Sequence, residues 1–274
     1  MICSTCFRHC QLQEGQIGFC RARQNKGGKI ICANYGYVTS MAIDPIEKKP
    51  LALFHPGSTL LSIGSYGCNL DCPFCQNFQI SRMAKSSDAN FVSPEKIRDM
   101  ALQAKQTQSN LIGVAYTYNE MLCSWEYVRD CAQLIHKAHL LNVLVTNGTA
   151  SLAVLDEILP YIDAMNIDLK SLNAQTYASI LHGDLNQTMA FIEKAIPACH
   201  VEITTLVVPG MNDSESEIDA LTHWISQQDP NIPYHLTRYF PRYQMDTPAT
   251  NISTLYRLKE IAQTHLHHVF VGNV

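Results

Sequence analysis

The 274-residue chain has the composition of a folded globular protein, because 46% of its residues are hydrophobic and 16% are charged, which excludes an intrinsically disordered chain. Its formal net charge of -4 at pH 7 excludes the basic surface that is typical of nucleic-acid-binding proteins. No apolar stretch approaches the roughly 18 residues that cross a bilayer, and the first residues lack the apolar run of a secretory signal. The sequence therefore predicts a cytoplasmic protein that binds neither nucleic acid nor a membrane.

The eleven cysteines are unevenly distributed along the chain. Disulfides are disfavoured in a reducing cytosol, where closely spaced thiols are more typical of metal sites. Two groups fit that description, namely Cys3, Cys6, Cys10 and Cys20, and then Cys68, Cys72 and Cys75. Four others lie in apolar sequence, which is typical of small buried residues, namely Cys32, Cys123, Cys131 and Cys199.

Residues 1–59 are predicted to form a small Cys-rich N-terminal module, separate from the rest of the chain. The four cysteines at its start are separated by gaps of two, three and nine residues. This spacing suits a site of four thiolates that binds zinc or a second iron–sulfur cluster. The alternative is that these are free thiols in a small exposed module.

The remainder, residues 60–274, alternates short apolar runs with segments of helical periodicity. This alternation predicts βα units that form a parallel sheet. Six units are too few to close an eight-stranded barrel, so the sequence favours an α/β fold with an open, partial (βα)6 TIM-like barrel over a doubly wound sheet. The predicted strands are 60–64, 111–116, 142–146, 164–169, 201–208 and 234–239.

The second group of cysteines directly follows the first predicted strand, with CxxxCxxC spacing at Cys68, Cys72 and Cys75. Loops at this end of barrel strands carry the catalytic residues of such folds. Three thiols on a compact loop suit a 4Fe-4S cluster, and one iron would then lack a protein ligand, since such clusters usually take four cysteines. The alternative is a structural zinc site that a remote fourth ligand completes.

This loop, with Phe74 directly before the last cysteine, resembles the cluster-binding loop of the radical S-adenosylmethionine (SAM) superfamily. Within that superfamily, the chain is similar to the radical SAM member of the AmmeMemoRadiSam system, a relative of the pyruvate formate-lyase activating enzymes. The resemblance covers nearly the whole chain. The stretches that carry it are DPIEKKPL (44–51), CQN (75–77), AYTYNE (115–120), NIDLK (166–170) and residues 234–241.

The resemblance implies that SAM binds beside the cluster, at the rim formed by the ends of the strands. Asn119 and Glu120 stand where the family's GGE-type motif binds the SAM amino group, although the two glycines of that motif are absent here. A carboxylate at this place can accept charge-assisted hydrogen bonds from the ammonium group. Thr146 and Asn147, which end the third strand, are candidates for the ribose, and a polar turn is the alternative.

The later strands supply further polar side chains. Strand periodicity sends Asn166, Asp168 and Lys170 to one face of the fourth strand, toward the barrel interior. We expect Asp168 and Lys170 to bind a ligand, and the alternative is a structural ion pair, whose burial contributes little to stability. His235 and Arg238, on the sixth strand, are candidates for contacts with the adenine or the substrate.

With the resemblance, these residues predict a radical SAM enzyme, an oxidoreductase that cleaves SAM reductively and forms a 5′-deoxyadenosyl radical for hydrogen abstraction. The expected partners are an unidentified small-molecule or protein substrate and an electron donor such as flavodoxin or ferredoxin. One alternative is an activating enzyme that installs a glycyl radical on a protein partner. The other is a non-catalytic iron–sulfur scaffold or electron carrier.

Overall fold

The computed structural model describes residues 1–83 and 85–274. Its strands are β1 (Arg23–Lys26), β2 (Lys29–Cys32), β3 (Tyr37–Val38), β4 (Ser40–Pro45), β5 (Thr59–Gly64), β6 (Asn90–Phe91), β7 (Leu111–Tyr116), β8 (Leu141–Thr146), β9 (Ala164–Asp168), β10 (His200–Val207), β11 (Tyr234–Arg238) and β12 (Val269–Gly272). Its α-helices are α1 (Pro94–Thr107), α2 (Trp125–Lys137), α3 (Leu152–Ile158), α4 (Ala174–Ser179), α5 (Leu185–Ala195), α6 (Glu215–Gln228) and α7 (Ile252–Ala262). None of the described helices is both long and apolar enough to cross a membrane.

One large sheet organises the fold, with its strands in the order β12-β11-β10-β9-β8-β7-β5-β4. All neighbouring pairs are parallel except β4 and β5, which are antiparallel. The prediction of an open, partial TIM-like barrel is confirmed, and the six predicted strands correspond to β5, β7, β8, β9, β10 and β11. The sheet also contains β4 and β12, which the sequence did not predict.

The two faces of the sheet have different surroundings. Met165 and Ile167 of β9 lie in the main hydrophobic core, against the helices that cover the outer face. Their neighbour Asn166 is directed into the barrel, because successive residues of a strand alternate between the faces. Its amide nitrogen donates to the carbonyl of Pro50 and to the hydroxyl of Thr204, at 2.8 Å each.

A segment that follows β4 covers the floor of the barrel. Leu51 is fully buried in this segment and packs against interior residues of the sheet such as Leu60 and Val143. The backbone amides of Ala52 and Leu53 both donate to the carboxylate of Glu202, at 2.8 Å. The floor is therefore held by apolar packing and by one buried acidic side chain.

Glu202 has four hydrogen-bond partners in this arrangement, since the Nε2 atoms of His200 and His235 lie 2.9 and 2.6 Å from its oxygens. Burial acts to raise the pKa of Glu202, but the two histidines and the two backbone amides outweigh it and lower the pKa to about 2. The carboxylate is thus ionised at neutral pH.

We expect Glu202→Ala to lower the free energy of unfolding by about 3 kcal/mol, because two backbone amides and two histidines lose the buried carboxylate that accepts their hydrogen bonds. Urea unfolding at neutral pH measures this loss. Glu193→Ala, at an exposed position of α5, is the control and should change stability by less than about 0.5 kcal/mol. Equal stabilities of the two variants would contradict the assignment of Glu202 as the floor anchor.

Upstream of β4, the chain forms a small module around the antiparallel hairpin of β1 and β2. Arg23 of β1 attaches this module to the barrel through a bidentate ion pair with Glu126 of α2, at 2.6 and 2.7 Å. Residues 40–58, which the sequence assigns to the N-terminal module, are part of the barrel in the structure. They supply β4, which pairs with β5, and the floor segment.

Candidate active site

The three thiols of the CxxxCxxC motif lie half-buried on the loop after β5, at the carboxyl end of the parallel strands. Burial, with the charges of Glu120 and Cys72, raises the pKa of the Cys68 thiol well above its usual value. Burial likewise raises the pKa of Cys72 to about 12, and the positive charge of Lys170 acts in the opposite direction. Thiols in this state are protonated at neutral pH, so metal binding must release their protons.

The backbone of the cysteine loop is fixed by Asn119, which follows β7. Its Oδ1 accepts from the amide of Ser65 at 2.9 Å, and its Nδ2 donates to the carbonyl of Gly67, also at 2.9 Å. Gly67 has a φ of +94°, and a Cβ at this position would lie 2.2 Å from the carbonyl oxygen of Cys20. The loop thus requires glycine directly before its first cysteine.

Two arginines hold the same loop from the outside. Arg82 donates to the carbonyl of Cys68 at 3.2 Å and pairs with Asp71 at 3.1 Å. Arg8, from the N-terminal module, donates to the carbonyl of Asn69 at 2.6 Å. Neither arginine was predicted from the sequence, since neither belongs to a recognisable motif.

Glu120, Thr146 and Asn147 come together at the ends of β7 and β8. The fully buried Glu120 carboxylate accepts from the hydroxyl of Thr146 at 2.9 Å and from the amide of Asn147 at 2.8 Å. Burial raises the pKa of Glu120 to about 7, although these hydrogen bonds act to lower it. The Nδ2 of Asn147 lies 3.7 Å from the Cys68 sulfur and 2.9 Å from the Oδ1 of Asn69, so Asn147 joins this carboxylate to the cysteine loop.

Asp168 and Lys170 form an ion pair at the end of β9, with 2.8 Å between Nζ and Oδ2. Burial acts to lower the pKa of Lys170, but the charges of Asp168 and Cys72 outweigh it and raise the pKa above its usual value. The Nδ2 of Asn212 donates to the backbone carbonyl of Lys170 at 2.7 Å. The lysine is thus a fixed positive charge next to the cysteine loop.

Three other predicted cofactor contacts have partners within the protein. Phe74 is buried in the main hydrophobic core. His235 bonds to Glu202, and the Nε of Arg238 donates to the carbonyl of Thr250 at 2.8 Å. A contribution of these side chains to SAM or substrate binding stays a prediction.

The four N-terminal cysteines surround a small cavity, lined by Cys3, Thr5, Cys6, Arg8, Cys10, Gly18, Cys20, Arg23 and Cys123. Cys123, which the sequence predicts to be a buried packing residue, is buried. Its thiol also forms a hydrogen bond with the sulfur of Cys20, and this bond lowers the pKa of the Cys20 thiol. Across residues 1–83 and 85–274, no three His, Cys, Asp or Glu side chains converge as the ligands of a single metal ion would.

The sequence of residues 62–221, which contains the cysteine loop and the strand ends described above, matches the profile of the Radical SAM superfamily. The chain belongs to this superfamily. It is therefore a radical SAM enzyme. Members of this superfamily bind a 4Fe-4S cluster and SAM. The predicted superfamily is confirmed, and membership in the AmmeMemoRadiSam group stays a prediction.

Among curated proteins, this radical SAM enzyme is 35% identical over 277 residues to the uncharacterized protein MJ0808 of Methanocaldococcus jannaschii, covering 99% of this chain and 81% of that protein. It is also 27% identical over 105 residues to the isethionate sulfite-lyase activating enzyme of Oleidesulfovibrio alaskensis, covering 36% of this chain and 34% of that enzyme. Among solved structures, a domain of a pyruvate-formate lyase-activating enzyme from Bacteroides vulgatus shares its fold, with a TM-score of 0.51 and 18% identity over 58% of this chain and 98% of that domain.

Proposed function

We propose that Cys68, Cys72 and Cys75 each ligate one iron of a 4Fe-4S cluster, and that the fourth iron is left for SAM. The donor set supports this, because each iron of a cubane takes its own thiolate and the three sulfurs need not converge on one point. Lys170 lies where its positive charge offsets the negative charge of the thiolates. When bound, the cluster supplies the electron for reductive cleavage of SAM to a 5′-deoxyadenosyl radical, which abstracts hydrogen from the substrate.

The position of Asn147 carries this proposal. Its amide reaches both the Cys68 sulfur and the loop at Asn69, while its backbone donates to Glu120. Glu120 would therefore lie beside a cluster that Cys68 holds, where its carboxylate would accept hydrogen bonds from the ammonium group of SAM. Thr146 holds that carboxylate in place, and Asp168 and Lys170 complete the polar rim.

Anaerobic reconstitution with iron and sulfide, followed by dithionite and SAM, tests the proposed function. Dithionite stands in for the protein electron donor, such as flavodoxin or ferredoxin. We expect a 4Fe-4S signal in the EPR spectrum that changes when SAM is added, and we expect 5′-deoxyadenosine on chromatography. A cluster whose irons all carry side-chain ligands, or a spectrum that SAM does not alter, would exclude the open-iron site.

The pKa of Glu120 predicts how SAM affinity depends on pH. The ionised carboxylate accepts charge-assisted hydrogen bonds from the ammonium group, which are much stronger than those that the neutral acid accepts. Burial raises the pKa of Glu120 to about 7. Lowering the pH protonates the carboxylate, so we expect affinity to fall about tenfold for each pH unit below that pKa. Isothermal titration of the anaerobic enzyme with SAM, from about pH 7.5 down to about pH 5.5, measures this slope.

Glu120→Gln is the matched variant for this titration, because glutamine has nearly the same shape but does not ionise. It should bind SAM more weakly at neutral pH and show no such slope. The same slope in both proteins would assign the titration to another group.

Activation of a glycyl-radical enzyme is a second candidate function. The observation that favours it is the local similarity to the isethionate sulfite-lyase activating enzyme. The substrate would then be a backbone glycine of a protein partner, and a glycyl EPR signal on that partner would identify the reaction. The alternative of a non-catalytic carrier has less support, because the chain belongs to an enzyme superfamily.

A further inference from the structure

The cavity among the N-terminal cysteines has the size of a single ion. Its volume is about 10 Å³, roughly that of one water-sized sphere. Cys3, Cys6 and Cys20 are buried around it, and Cys10 is half-buried. An eight-atom cubane would need a much larger space, whereas one metal ion fits among four sulfur atoms.

The backbone around these thiols is arranged to support ligation. The amide of Cys3 donates to the carbonyl of Cys10 at 2.9 Å, which holds the first and third cysteines on neighbouring strands of the loop. Backbone amides face two of the sulfurs, that of Arg8 at Cys6 and that of Ala22 at Cys20. Hydrogen bonds from amides to sulfur stabilise thiolate ligands in metal sites.

Arg23 gives an independent indication of negative charge at the cavity. Two nitrogens of its buried guanidinium hold Glu126, but the buried Nε has no hydrogen-bond partner among the described residues. Arg23 also lines the cavity. A buried donor without an acceptor is costly, and four thiolates around a divalent cation would supply the missing negative charge.

We propose that Cys3, Cys6, Cys10 and Cys20 bind one Zn²⁺ ion, which holds the N-terminal module against the cysteine loop of the active site. The sulfurs do not converge in the described arrangement. Their side chains must therefore change rotamer around the cavity when the ion binds, while the backbone already brings all four to its wall. Zn²⁺ is the ion that four-thiolate structural sites most often hold.

The position of this site explains why it matters for the radical chemistry. The side chain of Asn69 bonds to the Cys6 thiol, and the carbonyl of Asn69 accepts from Arg8. On the other side of Cys68, the carbonyl of Cys20 lies directly against Gly67. An ion held by Cys6 and Cys20 therefore fixes the residues on both sides of the first cluster cysteine.

A full-length variant in which Cys68, Cys72 and Cys75 are all alanine separates this site from the catalytic cluster. After dialysis against zinc sulfate and removal of excess metal, we expect about one zinc and no iron per chain by elemental analysis. Adding Cys10→Ser should reduce the zinc content at least about fivefold, whereas adding Cys199→Ser should leave it unchanged. Wild-type protein stripped of iron by oxidation and chelation gives the same measurement without substitutions.

Several outcomes would overturn the proposal. Iron and sulfide bound in equal amounts by the triple variant would show a second cluster instead of zinc. Retention of zinc by the Cys10→Ser variant, or absence of zinc from both the triple variant and the stripped wild type, would show that these thiols do not hold the ion. None of these results depends on SAM cleavage, so the test is independent of the proposed function.

Discussion

Replacing any one of Cys68, Cys72 and Cys75 with alanine is expected to abolish reductive cleavage of SAM. Each variant keeps only two of the three thiolates that ligate the cluster. The charge and the geometry of the site both change as a result. We expect the rate of 5′-deoxyadenosine formation to fall at least about a thousandfold, which corresponds to about 4 kcal/mol of activation free energy. Chromatography after incubation with dithionite and SAM measures the rate.

Cys199→Ala is the control for this series. Cys199 is half-buried between α5 and β10, packs against the main hydrophobic core and donates from its thiol to the carbonyl of Ala195, at 3.8 Å. This variant should form 5′-deoxyadenosine at the rate of the wild-type enzyme. Full activity of a Cys68, Cys72 or Cys75 variant with the same iron content as the control would refute the assigned ligands.

Replacing Gly67 with alanine is expected to give the largest loss of stability for a single methyl group added near the active site. The backbone there has a φ of +94°, which disfavours a side chain, and the new Cβ would lie 2.2 Å from the carbonyl oxygen of Cys20. The N-terminal module and the cysteine loop would have to move apart. We expect the free energy of unfolding to fall by about 3 kcal/mol, and cluster content after reconstitution to fall with it.

Gly57→Ala separates the two causes of that loss. Gly57 has a φ of +80°, but a Cβ there would meet no atom within 4 Å. The free energy of unfolding of this variant, measured in urea, should therefore fall by only about 1 kcal/mol, because the substitution strains the backbone but causes no clash. The variant should assemble the cluster normally. Equal losses of unfolding free energy in the two variants would show that the clash with the carbonyl oxygen of Cys20 does not contribute to the loss of stability in Gly67→Ala.

Most of the barrel could be predicted from the sequence, because its central strands are buried on both faces and stand out as apolar runs. Each of the six predicted strands agrees with the structure to within one residue at either end. The two unpredicted strands lie at the edges of the sheet. Residues Ala42 and Ile43 of β4 are exposed, and β12 has only four residues, so neither gives a strong hydrophobic signal.

The part of the site that the ends of the parallel strands form could be predicted from the sequence. The carboxyl ends of parallel strands meet at one edge, and this places Glu120, Thr146 and Asn147 beside the cysteine loop. The contacts of Arg8 and Cys6 with Asn69 could not be predicted in this way. They depend on how the N-terminal module packs on the barrel, and Arg8 and Asn69 are 61 positions apart without a common motif.

The Glu202 anchor also bears on the order in which the chain folds. Ala52 and the carboxylate that accepts its amide hydrogen are 150 residues apart in the sequence. During synthesis, the floor segment leaves the ribosome long before β10 does, and contacts of such long range form late and slowly. The interior of this enzyme can therefore close only after about three quarters of the polypeptide has been translated.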